Sequence, residues 1–258
     1  MRKQTGRKYG GQRAVFIDRA RAVLDRNNNR MLLIEGLIAC VLFTVSIMLL
    51  LGSLYDTFLL WRFLGEALAL VVFDAAQWIF CFFLVFPLYL GVLRVAGEMS
   101  RSEEPEFSSF FAFYRSLPML WRAWRIQLRI LFRAFPILLT FAAYYVPNFF
   151  DSIEMYRLIH NIVVIASPFL IAAGLFTTSR FFPFAVLAVG NDSLALREAA
   201  KRARRAVKKK TGIVFVVRLN MLARLLLSIL SFCVVTLIHT LPLTLIVYSR
   251  LADDLAET

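Results

Sequence analysis

The chain of 258 residues is 60% hydrophobic and 18% charged, with a mean hydropathy of +0.69. A water-soluble domain runs nearer about half apolar and about a quarter charged, so an ordinary soluble globule is excluded. Lys and Arg number 30 against 17 Asp and Glu; apolarity joined to basicity also argues against a soluble nucleic-acid binder, and fits a polytopic membrane protein with basic loops on one side.

Residues 1–12 read as a basic tail. Val15, Phe16, Arg19, Val23 and Arg26 recur at helical spacing, which predicts an amphipathic helix over Arg13–Arg26. Asn27-Asn28-Asn29 breaks it. Such a helix belongs on the inner leaflet, or else against the protein's own loops. The first apolar run, 31–54, is long enough to span and carries only Glu35, so it does not read as a cleavable leader. A short loop follows, with Tyr55 and Trp61 at belt positions.

The second span, 67–96, holds Asp74 and Gln77 near its outer end and Pro87 and Gly91 near its inner end. An intramembrane carboxylate such as Asp74 marks either a site or a helix-packing hydrogen bond. In the connector 97–127, Ser108 or Ser109 is placed to cap a helix opening at Phe110. Arg115, Arg122, Arg125, Arg129 and Arg133 then fall within about a quarter of a helical wheel. Pro118 is expected to bend that helix, and Trp121 and Trp124 flank the stripe. Cations interleaved with Trp suit anionic headgroups, with Arg122, Arg125 and Arg129 as contacts.

The third span is 128–150, bent near Pro136 or Pro147, and the fourth is 158–190. The fourth is longer than a straight crossing needs, so a kink is expected at Pro168, Gly174 or Pro183. Arg180 lies ten residues before Gly190. It must snorkel, pair with Glu35 or Glu98, or meet a substrate.

A polar turn, Gly190-Asn191-Asp192-Ser193, leads into a helix and linker with eight Lys/Arg and one Glu before Gly212. Leu194, Ala199, Ala203 and Val207 give it a weak apolar stripe, and Lys208, Lys209 and Lys210 are headgroup candidates. The run 213–250 divides near His239–Pro242 into spans 213–236 and 239–250, or forms one kinked helix. Arg218, Asn220 and Arg224 occupy its first turns, and 251–258 is a short acidic tail.

The first 30 residues hold nine Lys/Arg, and both long connectors are rich in them. The outer loops carry Arg62 and Arg157, so both termini and both connectors are expected in the cytoplasm, with six crossings. Cys40, Cys81 and Cys233 sit inside apolar runs without ligand spacing, and His160 and His239 lack a third ligand. No hydrolase, phosphate-loop or paired-cysteine motif occurs. No metal, cofactor or catalytic residue is therefore expected.

Four patterns together resemble a family. They are Ala20-Arg21-Ala22-Val23-Leu24 before the first span, Phe110-Phe111-Ala112-Phe113, Arg180-Phe181, and Asn191-Asp192 followed by Glu198-Ala199. The chain resembles six-span bacterial membrane proteins of unknown function common in Firmicutes, distantly similar to the membrane domain of glycerophosphodiester phosphodiesterase. It departs from them at Ala203 and Lys208-Lys209-Lys210, where a small hydroxyl residue and a glycine are usual. The resemblance implies fold and location and no catalysis, since the related enzyme's catalytic part is a separate domain.

The expectation is an all-α, six-span helical bundle of the bacterial cytoplasmic membrane with amphipathic cytoplasmic helices. Its partners are anionic inner-leaflet lipids or a membrane protein, and not nucleic acid. The leading function is a non-enzymatic accessory protein that binds lipid or a partner. A transporter for a lipid or small anion is the alternative, and it requires Asp74, Arg180, Asn220 and Arg224 to converge on one wet cavity.

Overall fold

The structure, a computed structural model, describes residues 17–26, 29–58, 66–101, 103–145, 153–208, 210–231 and 239–256. Among these the chain is all-α, with no strand. The helices are α1 (17–24), α2 (Asn29–Phe58), α3 (Glu66–Phe80), α4 (Phe86–Ser100), α5 (Leu117–Tyr145), α6 (Ile153–Ser179), α7 (Pro183–Gly190), α8 (Leu196–Val207), α9 (Thr211–Ser231) and α10 (Leu241–Ala256). Among the described residues, three stretches are long and apolar enough to cross a membrane: Asn29–Ser53, Ala75–Ser100 and Glu154–Ser179.

Helix α1 packs on the main core through Ile17, Ala20 and Leu24, while on the face expected to meet the leaflet Arg19 and Arg26 are exposed and Val23 is half-buried. The buried phase differs from the one expected, and Val15 and Phe16 lie outside the described residues.

Helices α3 and α4 are joined by a π-helical turn, Cys81–Val85. Its cause is Pro87, which has no N–H for the carbonyl of Phe83 and whose ring crowds that carbonyl. Two side chains from the following connector take up the exposed oxygens. Trp124 Nε1 donates to Phe83 O at 3.1 Å, and its ring meets the Phe83 ring edge-on. The Tyr114 hydroxyl donates to Leu84 O. Trp124 thus satisfies a helix break in addition to standing beside the arginine stripe.

Phe107–Tyr114 forms a 3₁₀ helix, not the expected α-helix, and its Glu106 N-cap makes no side-chain cap bond. Ser108 instead donates to Glu106 Oε2 at 3.0 Å and accepts from Arg115 Nη2 at 2.9 Å. The tight segment sinks into the core. Phe110 and Phe113 are fully buried, and the Phe110 carbonyl lies against Gly91 while its ring lies against Gly36. A Cβ at either glycine would overlap those atoms. Pro118 falls in the first turn of α5, where its missing N–H is harmless, so it starts the helix without bending it. Arg115 precedes α5 and leaves the stripe.

The predicted single span 158–190 is two helices. Thr178 and Ser179 hydroxyls donate back to Gly174 O and Leu175 O, and tight turns run through Arg180–Phe182 before Pro183 opens α7. Gly174 lets Ile137 of α5 come into contact, and Thr177 Oγ1 lies 2.8 Å from Arg133 O, which fixes the α5–α6 crossing.

Helix α10 corrects one expectation. Leu243, Leu245, Ile246 and Val247 are buried, so the helix packs in the core of the bundle. The helix also continues through the supposed tail to Ala256, burying Leu251, Ala252 and Leu255.

Gly91→Ala should lower stability by about 1–3 kcal/mol, because the clash is with backbone that has no rotamer to change. Gly52→Ala, with nothing within 4 Å of its Cβ, should be neutral or stabilise by up to about 1 kcal/mol. Thermal unfolding of both variants in one detergent checks the contrast.

Candidate anion-binding site

Charged side chains at the connector end of the bundle divide into two sets. The first is paired. Arg94 of α4 bonds Glu98 at 3.0 Å and Asp192 of the α7–α8 turn at 2.9 Å. Arg101 Nε lies 3.4 Å from Asp253 of α10, and the Ser100 hydroxyl shares its proton between Gly97 O at 2.8 Å and Asp253 at 3.1 Å. The connector after α4, the turn after α7 and the end of α10 are thereby gathered at one end.

Arg122 holds the same junction. Its Nη2 donates to Ala188 O at 3.0 Å, Asn191 O at 2.8 Å and Leu194 O at 2.9 Å. Those are carbonyls at the end of α7 and in the turn beyond it, where helical donors run out. Burial pushes the Arg122 guanidinium below its ordinary value; Arg125 and Arg94 push the same way and Asp192 opposes. Arg122, a headgroup candidate by sequence, is committed to backbone. The turn itself forms as expected, with Asn191 Oδ1 accepting from Ser193 N at 3.2 Å and Ser193 Oγ at 2.8 Å.

The second set lines a groove between α5 and α8. Helix α8 docks through its apolar stripe, with Leu196, Ala199, Ala203 and Val207 all buried. Small residues at two of these positions bring the helix close, and its cations point away. The groove has a volume of about 1050 Å³ between Arg129, Phe132 and Arg133 of α5 and Arg197, Lys201, Arg204, Arg205 and Lys208 of the basic segment. A second cavity of about 470 Å³ adds Thr177, Arg180 and Thr211 and shares Arg133, Phe181, Arg204 and Lys208 with the first.

Phe181 forms the common wall. The α6–α7 break places it, and stacking on Phe184 at 4.3 Å holds it. The guanidinium carbons of Arg133 and Arg204 lie 5.5 and 6.0 Å from its ring centroid. Arg180 lies over Phe176 at 4.6 Å. Among the described lining residues the one carboxylate is Glu198, bonded at 2.6 Å to Arg202, which does not line the groove.

The other sequence candidates fall as follows. Arg129, Arg180 and Lys208 join the groove. Arg125 is exposed on α5, Lys210 is half-buried, and Lys209 lies outside the described residues. Glu98 is taken by Arg94 and Glu35 is exposed, so neither is the counter-ion foreseen for Arg180. Asn220 and Arg224 lie on α9 and do not line the groove; the Asn220 amide oxygen is buried with no hydrogen-bond partner among the described residues. Asp74 lies on α3, with its side chain outside the described residues. Of the transport-set side chains that the structure describes, Arg180, Asn220 and Arg224, only Arg180 reaches the groove.

Arg204, Lys201 and Phe181 were not singled out as site residues from the sequence. The usable signal was the phase of α8: once Ala199, Ala203 and Val207 face inward, Lys201, Arg204 and Lys208 share a flank. Searches against protein-family models, curated proteins and solved structures find no match to this chain.

Arg122→Met should destabilise the protein by about 1.5–3 kcal/mol, the range for hydrogen bonds to a charged group. Exposed Arg125→Met should change stability by less than about 0.5 kcal/mol. Equal melting shifts for the two in detergent would show that Arg122 is no clamp.

Proposed function

We propose that the protein is a non-enzymatic accessory protein of the bacterial cytoplasmic membrane that holds anionic lipid headgroups in the groove between α5 and α8. The observation that carries this reading is the convergence of cations from α5, the α6–α7 break and α8 on two cavities that share four lining residues, with one carboxylate among the described lining, already bonded elsewhere. Anions in such a setting accept charge-assisted hydrogen bonds, and guanidinium groups match phosphate geometry with two parallel bonds.

The three apolar stretches give the bundle its membrane-crossing capacity. The gathering of the basic connectors at one end, through Arg94–Asp192 and Arg101–Asp253, supports a cytoplasmic placement of that end under the positive-inside bias. Six crossings, with both chain ends on that side, complete the proposed topology. Apolar side chains next to the groove support a lipid as the ligand: Phe132 is 76% exposed and Phe135 57%. A headgroup in the groove leaves its tail alongside these rings.

The test is retention of lipid by the full chain. In a mild detergent, the purified protein should carry more anionic than zwitterionic phospholipid relative to the source membrane. The pair Arg133→Gln with Arg204→Gln should lower retention of the anionic class about tenfold or more, given the strength of charge-assisted contacts. Unchanged lipid content in a folded double variant would refute the groove as the binding site.

A further inference from the structure

The groove's charge is larger than a singly charged headgroup can offset. Arg133 and Arg204 approach the same aromatic ring, at 5.5 and 6.0 Å, and both line each cavity together with Lys208. Three cations are thus held at the junction of the two cavities, with Arg180 on one side and Arg129, Arg197, Lys201 and Arg205 on the other. Like charges held this close repel, and the repulsion is relieved in proportion to the negative charge brought among them. A phosphodiester carries one negative charge and two free phosphate oxygens. A terminal phosphomonoester carries about 1.5 to 2 charges near neutral pH and three free oxygens. Three oxygens allow Arg133, Arg204 and Lys208 each its own charged acceptor, whereas a diester makes the three cations share two oxygens and one charge.

The same geometry selects the source of that phosphate. The groove's α5 wall includes Phe132, one of the most exposed apolar side chains of the described chain, and the apolar flank continues along Phe135 and Leu139. A small soluble phosphate would make no use of this flank, while a lipid whose chain ends in phosphate would cover it.

We infer that the groove between α5 and α8 is selective for lipids bearing a terminal phosphomonoester, with Arg133, Arg204 and Lys208 as the specificity-determining residues. This rests on the anionic-lipid reading above and narrows it to one headgroup class.

The test uses the full chain in a neutral detergent and measures bound lipid by native mass spectrometry. Three probes are titrated: a diacylglycerol phosphate, a diacylglycerol phosphoglycerol with the same acyl chains, and glycerol phosphate without chains. At pH 8 the phosphomonoester lipid should bind about tenfold or more tightly than the diester, the scale of one additional charge-assisted contact. The preference should shrink as the pH falls through about 6, where the second phosphate ionisation reverses. Diester binding should stay nearly level over the same range. Glycerol phosphate should compete at least about tenfold more weakly than the lipid, since it forfeits the buried methylenes.

Arg133→Gln with Arg204→Gln should reduce monoester affinity to the diester level. Lys201→Gln with Lys208→Gln, on exposed positions that leave the core untouched, should reduce the preference in the same direction if the first pair fails to fold. Arg157→Gln, on α6 and outside the lining, should leave it unchanged. Equal binding of monoester and diester, both above a zwitterionic lipid, would overturn this inference and leave the proposed function standing. No binding of either above the zwitterionic lipid would overturn both. Glycerol phosphate binding as tightly as the lipid would overturn the lipid source, and a preference that survives both double variants would overturn the assignment to these residues.

Discussion

At two interruptions of this bundle, the π-turn before α4 and the end of α7, carbonyl oxygens lose their in-helix donors and side chains from elsewhere in the chain reach them. Pro87 opens the Phe83 carbonyl, which Trp124 caps, and Tyr114 bonds the next one. The end of α7 opens Ala188 and its neighbours, and Arg122 bonds three carbonyls there at once. In an apolar setting an unpaired carbonyl is expensive, so these contacts decide which segments may lie side by side. They tie the connector after α4 to both broken helices, and the 3₁₀ segment carrying Phe110 is drawn into the core between them.

That arrangement sorts the basic residues. Arg94 and Arg101 face the junction and pair with carboxylates, and Arg122 Nη2 bonds backbone carbonyls there, which makes all three structural. Arg129 and Arg133, further along α5 than Arg122, and Lys201, Arg204 and Lys208 on the basic segment face each other across open space. On α5 the distinction is one of position along the helix. Arg122 reaches the carbonyls of Ala188, Asn191 and Leu194, whereas Arg129 and Arg133, further along the same face, meet the open groove, and a helix docked by Ala199 and Ala203 turns its cations toward them.

Proline and glycine act here through space as well as through local conformation. Gly91 and Gly36 admit Phe110, Gly174 admits Ile137, and Gly190 admits the Arg101 guanidinium. Each removes a Cβ from a surface onto which another segment closes, as expected where small residues permit close helix approach. Pro183 ends one rod and begins another, and the turn before it aims Phe181 at the groove.

Helical class, the long apolar stretches, the Asn191 turn and the buried stripe of α8 could be read directly from residue order, because hydropathy over some twenty residues and a 3.6-residue period are properties of a contiguous segment. The excess of cations near the connectors was equally legible. Which of those cations would be tied down was not, since Arg122 and Arg129 occupy the same face of the same helix in sequence and differ only in what lies opposite. Likewise 251–256 resembles a tail until Asp253 finds Arg101, and Arg180 resembles a charge within one long span until the chain turns beneath it. Partners distant in sequence decide these roles, and only the packed chain brings those partners within reach.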